Sequence, residues 1–258
     1  MGKKAILAVS FGTTVDETRE KTIGAIEEAL RTAFPGWEVR RAFTSPTILH
    51  KLAARGQPTE NVWQALDRLA KDGFSSVLCQ PTYVVNGEEY EDLCKMVKQY
   101  AARFDHIYCG RPLLTQTEDY HEVAAAIQKA YSLPESTALV LMGHGTVHFA
   151  NAAYAALDYV FKERGAQNIF VGAVEGYPEL DKLRRQVSRF RPEHVVLAPL
   201  MVVAGDHARN DMAGKTDSWK TAFEADGYPV EAVLKGLGEY TDIRAIYVRH
   251  AKDAMQET

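Results

Sequence analysis

The sequence predicts an α/β protein of two similar lobes, each a parallel four-stranded sheet flanked by helices. Three observations predict it. Short runs rich in Val, Ile and Leu alternate with longer amphipathic stretches along all 258 residues. The apolar runs are continuous rather than alternating, as expected of strands covered on both faces. The first half of the chain also echoes the second, motif by motif.

We count eight strand-like runs, at 4–10, 37–43, 76–80, 106–109, 138–142, 168–174, 194–199 and 229–234. Between them lie helical patterns. Val62, Leu66 and Leu69 share one face after Pro58-Thr59 and stop at Gly73. Tyr120, Val123 and Ile127 follow Thr117 as a cap, and 150–163 ends at Gly165. AILAVSFGTT at 5–14 aligns without a gap on ALVLMGHGTV at 138–147. VRRAFTSPTILHKL at 39–52 aligns on VGAVEGYPELDKL at 171–183 with one residue of slack, and QPTYVVNGEEY at 80–90 on APLMVVAGDHA at 198–208. Three matches in the same order point to a duplicated, Rossmann-like βα unit. The lobes are expected at 1–130 and 131–258, joined where Ser132-Leu133-Pro134-Glu135-Ser136 interrupts the helical pattern.

Composition narrows the class of function. With 46% hydrophobic and 25% charged residues, disorder, collagen and coiled coil are excluded. No apolar run approaches the roughly eighteen residues of a membrane span. The run at 5–9 reads as a core strand rather than a secretion signal, so a cytoplasmic protein is expected. Thirty basic residues against 34 acidic leave a net charge of −4, with no basic run to track nucleic acid. Cys79, Cys94 and Cys109 lack both CxxC spacing and the density of a disulfide scaffold, and are expected as reduced thiols.

Ligands of open parallel sheets bind beyond the carboxyl ends of the strands, which directs attention to the residues just past each apolar run. The fifth run ends in Gly143-His144-Gly145-Thr146, the sixth in Glu175-Gly176-Tyr177-Pro178, the seventh in Ala204-Gly205-Asp206-His207. His144, Glu175 and His207 can therefore meet at one sheet edge. Two imidazoles and a carboxylate suit a divalent first-row metal and leave coordination positions open. The same imidazoles can accept protons near neutral pH. The repeat places Phe11, Thr44 and Glu89 opposite His144, Glu175 and His207. That asymmetry suggests a cleft with metal or proton chemistry on one wall and orienting groups on the other. His148 is a candidate supporting residue, as are Asp206, Asn210 and Asp211, which could orient His207 or cap a helix. Neither GHGT nor SFGT has phosphate-loop spacing, so no nucleotide site is expected.

These motifs carry a resemblance. VSFGTT, RAFTSP at 41–46, NGEEYE at 86–91, MGHGT at 142–146, VEGYPE at 174–179, LMVVAGDHARNDMAG at 200–214, DSWK at 217–220 and GLGE at 236–239 run in order over nearly the whole chain. They resemble the anaerobic cobalt chelatases, the sirohydrochlorin cobaltochelatases of cobalamin (vitamin B12) biosynthesis. The resemblance implies the two-lobed, ferrochelatase-like chelatase fold with its active site in the cleft, and ATP-independent insertion of cobalt(II) into sirohydrochlorin. His144 and His207 would be the catalytic histidines and Glu175 the metal-site glutamate, with all three binding the metal. Glu89 would face the substrate from the other lobe. Ser10, Phe11 and Arg41 are expected on the substrate side, Phe11 as an apolar floor and Arg41, with Arg209 and Lys215, as partners for rim carboxylates. No cofactor beyond the substrate metal is implied, and iron(II), nickel(II) or zinc(II) could occupy the same donors. No histidine in NGEEYE supports an interface haem. Partners are then the tetrapyrrole and cobalt, without nucleic acid or membrane, and with homo-oligomerisation left open. Iron insertion for sirohaem and a non-catalytic tetrapyrrole or metal carrier are the alternatives.

Overall fold

A computed structural model describes residues 2–256. The first strand, β1 (Lys3–Ser10), is buried from Ala5 onward, which explains its unbroken apolar run. A helical stretch follows as α1 (Asp16–Arg19), a π-type turn at Glu20–Gly24 and α2 (Ala25–Ala33). Then come β2 (Glu38–Phe43), α3 (Pro46–Ala54), α4 (Val62–Lys71), β3 (Phe74–Pro81), α5 (Glu88–Gln99) and β4 (His106–Cys109). The strands form one parallel sheet in the order β2-β1-β3-β4. Leu7, Val9, Leu66, Leu69, Val77, Leu93 and Val97 share one core cluster, joining sheet to α4 and α5.

The second sheet repeats the plan. The elements α6 (Thr117–Ala130), β5 (Thr137–Gly143), α7 (Ala152–Glu163), β6 (Ile169–Ala173), α8 (Leu180–Phe190), β7 (His194–Pro199), α9 (Trp219–Ala225) and β8 (Val230–Ala232) build a parallel sheet in the order β6-β5-β7-β8. Its core joins Val140, Met142, Leu183, Val187, Leu197 and Phe223. The identical strand order in both sheets accords with a duplicated unit.

Chain contacts divide the protein elsewhere than at 130/131. One unit runs through Thr115 and takes back the chain from Thr241; the other is Gln116–Tyr240. The physical reason lies in two helices. α6 packs against α7 and so belongs with the second sheet. The last helix, α10 (Thr241–Asp253), packs on α2 and β3, where the buried Tyr247 hydroxyl donates to the carbonyls of Thr82 and Tyr83 at 3.0 and 3.1 Å. Helix starts also shift. Gln116, not Thr117, caps α6, with its backbone N–H donating to Asp119 at 2.7 Å; Asn61 and Gln64 form a capping box at the start of α4. No helix among the described residues is long and apolar enough to cross a membrane.

Candidate metal and proton-transfer site

Two strand ends and one helix start bring His144, Glu175 and His207 together. Parallel pairing continues past β5 and β6: Val174 N–H donates to the Gly143 carbonyl (3.0 Å) and Glu175 N–H to the His144 carbonyl (2.7 Å). His144 and Glu175 are thus fixed side by side through their backbones. Gly145 permits this approach. Its φ is +89°, and a Cβ there would lie 2.6 Å from the Glu175 carbonyl carbon and the Gly176 nitrogen. The Gly145 N–H donates to the Tyr154 hydroxyl at 3.3 Å. Asn151 ties the two loops further, accepting from Thr146 N–H (3.2 Å) and donating to the Tyr177 carbonyl (2.7 Å). His207 enters from the first turn of the helix after β7, which continues as a π-type turn over Ala208–Met212.

The ligand atoms of the three side chains lie within 4.8 Å of one another, and among the described residues no other trio of His, Cys, Asp or Glu does so. The imidazoles meet edge to face, with centroids 4.7 Å apart and planes at 87°. His144 Nδ1 is 3.9 Å from a Glu175 carboxylate oxygen, and the His144, Glu175 and His207 side chains are 45%, 59% and 37% exposed. Each histidine has its inner nitrogen engaged. His144 Nδ1–H donates to the Gly145 carbonyl at 2.9 Å, and His207 Nδ1–H to Asp211 at 2.8 Å. A carbonyl and a carboxylate can only accept, so both Nε2 atoms keep their lone pairs for a metal or a proton. The arrangement offers three donors to one divalent cation, with coordination positions left open, and can accept protons.

Among the flanking residues, the structure selects Asp211, one helical turn past His207; Asp206 is exposed. His148 does not join the cluster. Its ring accepts from Ala150 N–H at 3.2 Å, so that His148 caps the short 3-10 turn Phe149–Asn151, and it lies against Phe149.

In the other unit the equivalent positions are clear from the same hydrogen bonds. Thr44 N–H donates to the Ser10 carbonyl and Ser45 N–H to the Phe11 carbonyl, at 2.9 and 3.2 Å. His144 therefore matches Phe11 as expected, but Glu175 matches Ser45 rather than Thr44, the slack in the repeat falling after this point. Ser45 accepts from Ile48 N–H and caps α3. Glu89 matches His207, each being the second residue of a helix opened by glycine. Phe11 is 53% exposed and Glu89 is exposed in the first turn of α5, so both remain available to a ligand. Ser10 and Arg41 do not. Ser10 is 1% exposed, with its hydroxyl bonded to that of Thr82 at 2.8 Å. Arg41 grips Glu27 in a two-pronged pair (2.6 and 2.8 Å), beneath which Glu27 is nearly buried. The guanidinium is held above its ordinary range because the hydrogen bonds and charges of Glu27 and Glu20 outweigh the opposing cost of burial. Its fork is already filled.

Sequence reasoning missed three apolar side chains beside the cluster. Val147, Phe149 and Tyr177 are 95%, 81% and 57% exposed on the His144 and Glu175 loops. The signal was the Val147…Phe149 pair inside an otherwise polar loop, since large apolar groups left in water mark a contact surface.

Comparisons with known proteins bear on the chain as a whole. A family profile described as cobalt chelatase (CbiK) matches residues 4–256. The chain is 43% identical to a sirohydrochlorin cobaltochelatase of Salmonella typhimurium, covering 98% of this chain and 97% of that one. It is 35% identical to the sirohydrochlorin cobaltochelatase CbiKC of Nitratidesulfovibrio vulgaris, covering 99% and 92%. Among solved structures, SirB from Bacillus subtilis with Fe3+ superposes with a TM-score of 0.66 at 12% identity, over 98% of this chain and 95% of that one. CbiX, described as the terminal enzyme of sirohaem biosynthesis in denitrifying bacteria, gives 0.57 at 16%, over 97% and 99%. At such identities these two support the fold alone. The match over nearly the whole chain makes this chain a member of the CbiK cobalt chelatase family.

Proposed function

We infer that this chain is a sirohydrochlorin cobaltochelatase, inserting cobalt(II) into sirohydrochlorin without ATP as a step toward cobalamin. The observation that carries the reading is 43% identity to a protein of that name over essentially the full length of both chains. The histidine and glutamate cluster supplies the chemistry. Cobalt(II) is a substrate here, held by His144, Glu175 and His207 with positions left open for the incoming ring nitrogens.

Sirohydrochlorin must lose its pair of inner pyrrole protons as the metal enters. Each histidine that releases the metal exposes an Nε2 lone pair, so His144 and His207 can take those protons as cobalt leaves them. A doubly charged cation is exchanged for two protons, and the charge held by the cluster barely changes. Asp211 stabilises the imidazolium of His207, and Glu175 stands beside His144 to do the same. Val147, Phe149 and Tyr177 offer apolar surface to the macrocycle, and Phe11 and Glu89 of the other unit are exposed and available to it. Holding the ring bent, so that a nitrogen lone pair leaves its plane, is strain drawn from those peripheral contacts. Iron(II), nickel(II) and zinc(II) compete for the same donors, since intrinsic affinity follows one order in any such site. The reaction belongs in the cytoplasm.

The test is the sirohydrochlorin absorption spectrum with cobalt, iron, nickel and zinc in parallel at low metal concentration. Wild type should accelerate the cobalt-dependent shift over the protein-free rate, and His144→Ala and His207→Ala should lose that acceleration. No acceleration by wild type sinks the enzyme reading and leaves a carrier. Faster iron than cobalt insertion would assign the chain to sirohaem. Full activity in both variants would overturn the site assignment alone.

A further inference from the structure

All three cysteines of the chain converge on one side of the first sheet. Cys79 and Cys109 are register partners on β3 and β4, so their side chains share a face, and α5 lays Cys94 over that face. Cys94 Sγ and Cys109 Sγ are 3.9 Å apart. Both are half-buried, whereas Cys79 is sealed in the core. We propose that Cys94 and Cys109 are a peroxide-oxidisable dithiol, a modification site that closes to a disulfide between α5 and the end of β4.

The two thiols are chemically unequal, as such a pair requires. Cys94 is lowered to about 6, first by a hydrogen bond from the Cys109 thiol, then by one from the Tyr90 hydroxyl and the nearby Lys98 ammonium, against partial burial and Glu91. Cys109 is raised, because it donates to Cys94 and is largely desolvated. Burial pushes Cys79 up to about 12, which keeps it an inert thiol. Cys94 is thus the more readily ionised thiol of the pair, and Cys109 beside it is the one held protonated.

The chemistry balances with a hydroperoxide as oxidant. The Cys94 sulfur attacks a peroxide oxygen, the O–O bond breaks, and the departing hydroxide takes the proton that Cys94 had released, leaving as water. Cys94 is now a sulfenic acid. The Cys109 sulfur then attacks Cys94 Sγ, the S–O bond breaks, and the hydroxide departs as water with the Cys109 proton. Two thiols lose two electrons and one hydrogen peroxide becomes two waters. The sulfurs must close from 3.9 Å to about 2.05 Å. β4 allows this because it is a short edge strand, paired on one side only.

The experiment needs no chelatase assay, so it stands apart from the function proposed above. The purified protein is treated with hydrogen peroxide, denatured and alkylated. Alkylatable thiols should fall from the three in the sequence to one, Cys79. The intact mass should drop by two hydrogens, a Cys94–Cys109 linked peptide should appear, and dithiothreitol should reverse all three. Cys109→Ser should trap a dimedone-reactive sulfenic acid on Cys94. Iodoacetamide labelling of Cys94 in the untreated protein should rise with a midpoint near pH 6, well below the usual ~8.5 of a free thiol. Retention of all three thiols under conditions that oxidise free cysteine would overturn the proposal. So would a link through Cys79, or only linkage between molecules.

Discussion

Gly145→Ala offers the sharpest test of how the cluster is assembled. Two costs add at this position. With φ at +89°, any Cβ is strained by about 1–2 kcal/mol. The new methyl would also lie 2.6 Å from two backbone atoms of Glu175 and Gly176, and no side-chain rotation can relieve a clash with backbone. The loops must part by roughly 1 Å to restore a ~3.5 Å contact, which as overpacking costs about 1–3 kcal/mol. The total expected destabilisation is about 2–5 kcal/mol, read by urea unfolding. Gly165→Ala is the matched control, because its φ is +84° but a Cβ there meets nothing within 4 Å. It should cost only the strain, about 1–2 kcal/mol. The same displacement moves Glu175 away from His144, and a ~1 Å misplacement of reacting groups costs on the order of 100-fold in rate. Cobalt insertion should therefore collapse in Gly145→Ala under conditions where it is still folded, and persist in Gly165→Ala. Equal destabilisation in the two variants, with wild-type insertion in both, would refute the account of Gly145 as the point of contact between the loops.

Other expectations follow from single interactions. Asp211→Ala should weaken cobalt(II) affinity or insertion by about 10–100-fold, with Asp211→Asn between it and wild type, since Asn still accepts from His207 Nδ1–H but lacks the charge; isothermal titration and initial rates decide this. Arg41→Ala should lower stability by about 1–3 kcal/mol, because it strands the nearly buried Glu27 carboxylate, yet leave KM for sirohydrochlorin unchanged; a raised KM would restore Arg41 to the substrate site. Arg184 donates to Asp226 and holds that carboxylate below its ordinary range. A depressed carboxylate stabilises the fold above its unfolded pKa near ~3.9 and loses that contribution as pH falls. Arg184→Ala should thus be destabilised at neutral pH by under about 1 kcal/mol, the pair being solvent-screened, and the gap should close as pH falls below ~4.

The sheets were legible because burial on both faces leaves short, continuous apolar runs such as β1 and β5, bounded by glycine turns. The triad was legible for a related reason: strand ends in a parallel sheet fall at one edge, so polar groups following three neighbouring strands meet there. Local patterning was less decisive where partners lie far apart in sequence. Thr44 and Ser45 could not be told apart as the match for Glu175 until backbone pairing with Phe11 fixed the register. Ser10 and Arg41 sit in motifs that resemble the family's, yet their polar atoms are spent on Thr82 and Glu27.

What the sequence determined by itself was therefore the duplicated α/β plan, the strand ends, and the residue types His144, Glu175 and His207 that give those ends their chemistry. Tertiary structure decided three things. It chose Asp211 over its neighbours as the partner of His207, drew α10 back onto the first sheet, and set Cys94 against Cys109. The physical reason is one of range. Periodicity and strand order follow from the local geometry of the chain, whereas a hydrogen bond or a thiol pair depends on distances of a few ångströms that only packing can set.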